Sequence, residues 1–157
     1  MIDTAAFTEL YKGVYRDLYR FALCTMRHPQ DAEDAVSEAV LSAYENVHKL
    51  KKDTAFRSWI FTILANVCKK KLLEKARRQT ETLDESSEQG MEDTAGLRAE
   101  IRDAFFVLNE EERLIVSLSV FGGYNSTEIG TMLKINSNTV RSKRSRALEK
   151  MSLILKE

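Results

Sequence analysis

Residues 127–148 read TEIGTMLKINSNTVRSKRSRAL, and this stretch carries the most specific structural pattern in the sequence. It predicts two helices that are joined by a tight turn at Lys134-Ile135-Asn136 and that cross at Gly130, where a small residue is needed. Four apolar residues have the spacing that would lock the two helices together: Ile129, Leu133, Ile135 and Val140. The pattern predicts a helix-turn-helix, with a solvated basic helix in an ordinary bundle as the alternative interpretation.

The second of these two helices carries the residue types with which proteins read DNA. Arginine can bond guanine or phosphate, and the first residues of such a helix reach base edges in the major groove. The candidate DNA-binding residues of this recognition helix are Ser137, Asn138, Thr139, Arg141, Ser142, Lys143, Arg144 and Arg146. We therefore expect the C-terminal end of the chain to bind duplex DNA.

The N-terminal half contains three amphipathic helical patterns. The first covers residues 3–27 and ends at His28-Pro29, because the residue before a proline is pushed out of the helical conformation. The second covers residues 29–49, with acidic residues in the first turn, where the helix dipole favours negative charge. After a polar connection over residues 49–53, the third pattern repeats apolar residues at helical spacing: Phe56, Trp59, Ile60, Ile63, Leu64 and Val67.

The C-terminal half contains four short helical patterns, of which the last two form the predicted helix-turn-helix. Asn109 and Glu112 have the spacing of a capping box at the start of the second pattern. Gly122-Gly123 would end that helix in a left-handed conformation, and Asn125 or Ser126 would cap the next one.

The composition favours an all-α protein of two small domains. One proline and six glycines in 157 residues leave few breaks for a sandwich or barrel. Residues 80–96 (TETLDESSEQGMEDTAG) are acidic and carry almost no large apolar side chain, so they cannot bury enough surface to offset their ordering entropy. We expect this stretch to be a flexible linker between helical domains over residues 1–79 and 97–157.

The net charge of zero conceals two basic blocks on either side of an acidic one. Residues 1–80 carry 14 basic and 10 acidic side chains, residues 81–112 carry 2 and 11, and residues 113–157 carry 8 and 3. Because the local field matters more than the net charge in binding nucleic acid, the neutral total does not exclude DNA as a ligand.

Several classes of protein are excluded by patterns that the sequence lacks. It has no glycine-rich phosphate loop and no nucleophile elbow, so we expect no enzymatic activity. Cys24 and His28 straddle a helix end while His48 and Cys68 fall in different elements, so neither a metal nor a cofactor is expected. The apolar stretch 59–68 is too short for membrane insertion, the N-terminus does not resemble a signal peptide, and two cysteines fit the reducing cytosol.

Longer stretches of the sequence resemble a known family. Residues 108–148 (LNEEERLIVSLSVFGGYNSTEIGTMLKINSNTVRSKRSRAL) resemble region 4 of bacterial RNA polymerase sigma factors. Residues 31–47 (DAEDAVSEAVLSAYENV) and 56–70 (FRSWIFTILANVCKK) resemble region 2 of the extracytoplasmic-function (ECF) subfamily of the sigma-70 family. That subfamily carries only these two helical domains joined by a flexible linker, and the resemblance covers residues 5–78 and 97–155.

The resemblance implies two functional surfaces in the N-terminal half. The acidic second helix would bind core RNA polymerase through Asp31, Glu33, Asp34, Ser37, Glu38 and Leu41. A favourable interaction with the helix dipole is an alternative explanation for the acidic residues in its first turn. The third helix and the connection before it would melt the minus-ten promoter element through Lys51, Lys52, Arg57, Trp59, Lys69, Lys70, Lys71 and Lys75. Residues 50–54 would capture a flipped base, and the apolar spacing around Trp59 favours core packing over base stacking.

By the same resemblance, the helix-turn-helix would read the minus-thirty-five element as duplex. The implied protein is a monomeric, cytoplasmic promoter-specificity subunit whose partners are core RNA polymerase, promoter DNA and an anti-sigma factor that holds it inactive. Its linker would enter the polymerase cleft or act as a solvated spacer. The basic run at residues 68–71, Asn138 and Arg144 depart from the usual family pattern, so no promoter sequence is inferred by analogy.

Two functions of other classes remain open at this point. One is a conventional helix-turn-helix regulator whose N-terminal helices bind an effector or form a dimer. The other is a helical protein–protein module without promoter specificity. Both predict that core polymerase does not change the choice of promoter.

Overall fold

The regular secondary structure is entirely helical in the residues that the computed structural model describes, which are 2–79 and 97–155. The predicted all-α class is thus confirmed. The predicted linker over residues 80–96 lies outside the described residues. Within those two ranges, no helix combines the length and the apolar character that crossing a bilayer requires.

In its described part, the N-terminal half consists of four α-helices and two short 3-10 turns. The helices are α1 (Thr4–Lys12), α2 (Tyr15–Met26), α3 (Pro29–Glu45) and α4 (Phe56–Gln79), and the turns are Val47–Lys49 and Asp53–Ala55. The predicted start of α3 at Pro29 is confirmed, and proline suits this position because the first helical residue needs no amide donor.

The structure divides the first predicted helix, over residues 3–27, into α1 and α2. At the break, the amide of Gly13 donates to the carbonyl of Leu10 (3.2 Å) and the amide of Val14 to that of Tyr11 (3.0 Å). A glycine followed by a β-branched valine has low helix propensity, so the chain turns here. The continuous helix that the apolar spacing predicts is therefore wrong.

The second predicted helix is also shorter than its pattern indicates, because α3 ends at Glu45 and not at residue 49. The side chain of Asn46 donates to the carbonyl of Ser42 (2.8 Å), a local bond with which asparagine competes against helix continuation. The residues that follow form a 3-10 turn, so the connection to α4 is longer than the predicted polar stretch.

In its described part, the C-terminal half contains α5 (Ala99–Phe106), α6 (Glu110–Ser117), a π-helical turn (Leu118–Gly122), α7 (Ser126–Leu133) and α8 (Ser137–Leu155). The predicted capping box of Asn109 and Glu112 is confirmed. Asn125, and not Ser126, caps α7. Gly123 adopts the left-handed conformation (φ 81°) that ends the π-helical turn.

Helix α2 lies at the centre of the molecule and joins the two halves. Every side chain from Phe21 to Met26 is buried, because α3 and α4 cover one side of the helix and α5 and α6 cover the other. A helical stretch that is buried around its whole circumference, as residues 21–26 are, is part of a core. The two helical units therefore pack against each other and share apolar contacts across α2.

Candidate nucleic-acid interface

Helices α7 and α8 form the predicted helix-turn-helix. A Cβ atom on Gly130 would lie 2.6 Å from the carbonyl oxygen of Ile135, so a larger residue would push the two helices apart. Lys134 has a left-handed backbone (φ 61°), and the amide of Ile135 donates to the carbonyl of Gly130 (2.9 Å). Three of the predicted locking residues are fully or almost fully buried: Ile129, Leu133 and Val140.

Helix α8 presents most of the predicted recognition residues to solvent. Its start is capped by Asn136, whose side-chain oxygen accepts a hydrogen bond from the amide of Asn138 (2.8 Å). The exposed candidates are Asn138, Thr139, Arg141, Ser142 and Arg146, and the half-buried ones are Ser137, Lys143 and Arg144. The exposed set lies within the first three turns, so this face has the size and position to enter a major groove.

Neighbouring side chains decide which cations of α8 are available to a ligand. Lys143 pairs with Glu111 of α6 (3.0 Å), and Arg144 donates to the hydroxyl of Ser119 (3.0 Å). Arg141 donates to Asn138 on the same exposed face (2.6 Å). The outward cations of the recognition helix are therefore those at positions 141 and 146, while the other two are anchored to the rest of the C-terminal half.

Sequence reasoning missed a polar hollow beside this face. Its cavity volume is about 280 Å³, and it is lined by Asn125, Ser126, Thr127, Arg141 and Arg144. Guanidinium groups next to a helix N-terminus suit a phosphate oxygen. The capping residues of α7 could have indicated this hollow from the sequence, because they predict where the N-terminus of α7 lies.

Helix α3 exposes most of the predicted polymerase-binding residues. The exposed ones are Glu33, Asp34, Ser37, Glu38 and Leu41, and Asp31 is half-buried. Asp31 pairs with Lys75 of α4 (3.0 Å), and Glu38 pairs with Lys71 (3.3 Å). The neighbouring helix therefore partly neutralises two of the predicted acids, and the negative charge left for a partner lies chiefly at positions 33 and 34.

An aromatic groove, also missed by sequence reasoning, runs beside this face of α3. Its cavity volume is about 600 Å³, and it is lined by Phe7, Tyr11, Tyr15, Tyr19 and Tyr44 together with the predicted Glu33, Ser37 and Leu41. Leu41 is 59% exposed and Tyr15 is 48% exposed, and contiguous exposed apolar surface of this kind typically binds another protein. Burial raises the pKa of Tyr11 to about 12, so its hydroxyl stays neutral. In the sequence, the groove is indicated by aromatic residues that recur every four positions from position 7 to position 19.

The structure does not gather the predicted promoter-melting residues into one track. Three of them are exposed: Lys51, Lys52 and Lys70. Two others, Lys71 and Lys75, pair with acids of α3, while Arg57 and Lys69 contact backbone carbonyls of the C-terminal half. The remaining residue, Trp59, is half-buried. The cationic side chains of α4 thus have three different environments. Only their neighbours in the folded chain distinguish them.

Trp59 packs on the core of the N-terminal half, as its apolar spacing favours. Its ring centroid lies 6.1 Å from that of Phe56, which is buried. Residues 51–54, by contrast, are exposed at and just before the second 3-10 turn, and Leu50 is half-buried. The connection is therefore more accessible to a flipped base than the indole ring is.

Both cysteines are buried, and burial raises the pKa of each thiol, that of Cys24 to about 12. Protonated thiols are poor metal ligands and poor nucleophiles. Across residues 2–79 and 97–155, no group of three or more histidine, cysteine, aspartate or glutamate side chains is arranged to hold a metal ion.

Comparison with known protein families gives two matches that divide the chain as the helices do. The family model described as sigma-70 region 2 matches residues 10–78. The model described as sigma-70, region 4 matches residues 98–151, which include the helix-turn-helix.

Relatives and solved structures agree with these matches. The chain is 30% identical to the ECF RNA polymerase sigma factor SigL of Mycobacterium tuberculosis, with 99% of this chain and 92% of the relative covered. It is 29% identical to the ECF RNA polymerase sigma factor SigM of the same species, with 98% and 79% covered. The fold is also similar to that of the sigma factor RpoE from Bartonella quintana, solved in complex with the anti-sigma factor NepR (TM-score 0.76, 20% identity, 96% of both chains).

Proposed function

This chain belongs to the ECF group of sigma-70 RNA polymerase sigma factors, and we propose that it binds core RNA polymerase and directs promoter-specific transcription initiation. The observation that carries this proposal is the pairing, in one short chain, of a region 2 match with a region 4 match that contains an exposed recognition helix. We propose the domain bounds 1–79 and 97–157 with residues 80–96 as linker, a cytoplasmic location, a monomeric state, and no catalytic activity.

The C-terminal half is proposed to read the minus-thirty-five element as duplex DNA. The exposed start of α8 supports this role, because Asn138 and Arg141 lie where a recognition helix meets base edges. The hollow at the start of α7 would take a backbone phosphate and set the register of α8 in the groove. Arg144, which is anchored to Ser119, is assigned to phosphate and not to a base.

The face of α3 and the adjoining aromatic groove are proposed to bind core polymerase. The groove offers apolar surface, which supplies most affinity in protein interfaces, around the exposed Leu41. Glu33, which lines the groove, would mainly set the association rate and the orientation of the complex.

The N-terminal half is also proposed to hold the melted minus-ten element. Lys51, Lys52 and Lys70 are exposed and supply positive charge for a single strand, while residues 50–54 offer an accessible loop for a flipped base. An anti-sigma partner is proposed because the structurally similar RpoE was solved with one.

Run-off transcription tests the proposal. Purified core RNA polymerase would be incubated with sheared bacterial genomic DNA, with and without this protein. We expect discrete new transcripts only when the protein is present, and their start sites would identify its promoters. No new transcript together with tight duplex binding by the protein alone would contradict the proposal and indicate a conventional regulator instead.

A matched pair of variants makes the assay specific to the proposed polymerase surface. Leu41→Asp places a charge on the exposed apolar rim of the groove, whereas Leu153→Asp makes the same change at a 73% exposed position of α8. The first variant should lose run-off transcription through lost binding to core, and the second should keep it. Equal activities of the two variants would remove α3 from the polymerase interface.

A further inference from the structure

The first two turns of α8 carry a pair of side chains that bond each other on the exposed face. Nη1 of Arg141 donates to Oδ1 of Asn138, three residues earlier, over 2.6 Å. Residues three apart lie on the same face of a helix, and both of these side chains are exposed. Asn138 is one of the positions at which the sequence departs from the usual family pattern, so the pair is a property of this chain.

The backbone that carries Asn138 is fixed by the cap of the helix. The amide of Asn138 donates to the side-chain oxygen of Asn136 (2.8 Å), and the amide of Val140 donates to the carbonyl of Asn136 (3.0 Å). Val140 is fully buried, so this turn is also held by the core. Asparagine has a short side chain, and its oxygen is therefore a well-placed acceptor for the longer and otherwise more mobile arginine.

The bond turns Arg141 toward the N-terminal end of α8. Asn138 lies one turn nearer that end, and the first residues of a recognition helix are those that reach base edges. Arg144 donates instead to the hydroxyl of Ser119 in the π-helical turn (3.0 Å). Both arginines line the polar hollow beside α7, but their side-chain bonds direct them to different places.

The same bond determines which hydrogen-bonding groups the pair can offer to DNA. Arginine has five N–H donors and no acceptor, so the group of Asn138 that faces it is the oxygen, and the NH₂ group is turned away. The contact uses Nη1 of Arg141 and leaves the Nε–Nη2 edge, which consists of two parallel donors. Because asparagine is neutral, the guanidinium also keeps its full positive charge.

Two parallel donors match the edge of one base in the major groove. Guanine presents two acceptors there, N7 and O6, whereas adenine presents an acceptor beside a donor and cytosine presents a donor. An asparagine that reads adenine uses both its oxygen and its NH₂ group, but the oxygen of Asn138 already accepts from Arg141. The geometry therefore favours guanine as the base opposite the start of α8.

We propose that Asn138 and Arg141 act as one base-reading unit, in which Arg141 bonds a guanine of the upstream promoter element and Asn138 positions Arg141 for that contact. This inference rests on the proposed function, because it names the base that the helix-turn-helix reads. Arg141 is then the residue that contacts the base, and Asn138 is a positioning residue. Holding the arginine before DNA binds also reduces the rotamer freedom that the complex must otherwise remove.

Selection from duplex libraries tests the proposal. In one arm, the complex with core polymerase selects from a promoter found by run-off transcription, with about ten base pairs around position minus thirty-five randomised. In a parallel arm, the full-length protein alone selects from random duplexes of about 20 base pairs. Sequencing of the bound fraction gives the preference for each base at each position.

Four variants separate base contact from positioning. Arg141→Ala removes the base contact, and Asn138→Ala removes only the acceptor that holds it. Asn138→Asp keeps an oxygen in the same place but adds a negative charge. Ser152→Ala is the matched control, since it truncates an exposed polar side chain of the same helix four turns further on.

We expect the wild-type protein to prefer guanine about twentyfold at one position and Arg141→Ala to lose this preference. Asn138→Ala should keep a preference of only about threefold at the same position, because the arginine is present but not held. Asn138→Asp should keep the wild-type preference while binding every sequence less tightly, since its charge repels phosphates. The control should select as wild type does.

A double variant checks that the two residues act as a unit. In the Arg141→Ala background, Asn138→Ala should change no base preference further, because the group that it positions is absent. Thermal unfolding of each variant should match that of wild type, since both positions are exposed. Restored preference in Asn138→Asp, compared with Asn138→Ala, is a result that a merely structural role of Asn138 would not produce.

Three results would overturn the inference. Loss of an adenine preference at a second position in Asn138→Ala would mean that Asn138 reads a base itself. An unchanged guanine preference in Asn138→Ala would mean that Arg141 needs no positioning. A base other than guanine at the position that Arg141→Ala affects, or an even loss across sequences, would mean that Arg141 does not read guanine.

Failure of the proposed function gives a different pattern. If run-off is absent but the protein alone still selects guanine through Asn138 and Arg141, the base-reading unit stands and the protein is a conventional regulator. If neither arm selects any sequence, the proposed function and the base-reading unit are both contradicted.

Discussion

The basic runs of α4 and α8 are similar in composition, but their side chains have different environments in the folded protein. On α8, Arg141 and Arg146 lie on an exposed face. On α4, Arg57 and Lys69 contact backbone carbonyls of the other half, and Lys71 and Lys75 pair with acids of α3. A basic run therefore identifies a surface that can bind nucleic acid, while its neighbours decide whether the free protein offers that surface to a ligand.

The largest expected effect comes from breaking the buried contact between the two halves. Arg113→Ala truncates an arginine that is 4% exposed and leaves the carbonyls of Thr25 and Leu108 without their donor. We expect a loss of about 3 kcal/mol in the free energy of unfolding, measured in urea. Arg98→Ala, at an exposed arginine near the start of α5, should change it by less than about 0.5 kcal/mol. Equal effects would show that Arg113 does not join the halves in solution.

A second large effect is expected where α7 crosses α8. Gly130→Ala puts a Cβ 2.6 Å from the Ile135 carbonyl, so the crossing must widen at a cost of about 2 kcal/mol and duplex DNA binding should fall with it. Gly13→Ala is the matched control, because its Cβ would meet a carbonyl at an ordinary 3.5 Å and its φ is −73°. Thermal unfolding of both variants measures the difference. A stable Gly130→Ala protein with normal duplex binding would contradict the predicted crossing.

The exposed and the anchored arginine of α8 are expected to differ in specificity. Arg141→Ala should cost about 1–3 kcal/mol in promoter binding and relax sequence preference at one position, because a base contact is lost. Arg144→Ala should weaken binding evenly across sequences, since Ser119 holds that side chain beside the phosphate hollow. Binding of the core complex to a library of promoter variants measures both. An even loss from Arg141→Ala would reassign it to phosphate.

Acid should weaken the C-terminal half through Glu112. Burial raises the pKa of this carboxyl, but hydrogen bonds from the Asn109 amide and the Lys150 ammonium outweigh that effect and lower it below its ordinary value. A carboxyl with a lowered pKa stabilises the folded state above its unfolded pKa, and this contribution is lost as pH falls through the folded value.

The matching variant is Glu112→Gln. It should be about 1 kcal/mol less stable than wild type at pH 7, and the difference should shrink as the pH falls below about 4. Urea unfolding at several pH values measures this convergence. A difference that stays constant with pH would show that the charge of Glu112 does not contribute.

The smallest effect distinguishes an exposed from a paired cation on α4. Lys70→Gln should lower the salt dependence of single-strand binding by about 0.7 in the logarithmic slope, because an exposed lysine that contacts a phosphate releases the counterion condensed on that phosphate. Lys75→Gln should change this slope much less, since Lys75 pairs with Asp31. Anisotropy titrations over a range of salt concentrations measure both slopes. Equal slopes would mean that pairing with α3 does not restrict the basic run.

Much of the fold follows from local signals that the sequence displays. The capping box of Asn109 and Glu112, the start of α3 at Pro29 and the crossing at Gly130 are each determined by residues a few positions apart. The break at Gly13 was missed because the apolar spacing continues through it, and the low helix propensity of two neighbouring residues outweighed that pattern.

The candidate site was predicted less completely, since its state depends on residues distant in sequence. Arg57 bonds carbonyls 64 and 65 positions away, and no local pattern indicates such acceptors. The aromatic groove combines the tyrosines of α1 and α2 with Tyr44 of α3, so it exists only after these helices pack. Residue types predict candidate ligand-binding side chains, and tertiary packing decides which of these candidates are exposed.

Permanganate footprinting of one promoter, chosen from the run-off start sites, measures whether this protein and core polymerase together melt promoter DNA. The template would be treated with core polymerase alone, with this protein alone and with both. We expect reactive, unpaired thymines about ten base pairs upstream of the start site only when both proteins are present. Reactive thymines with this protein alone, or none with both proteins together, would contradict it.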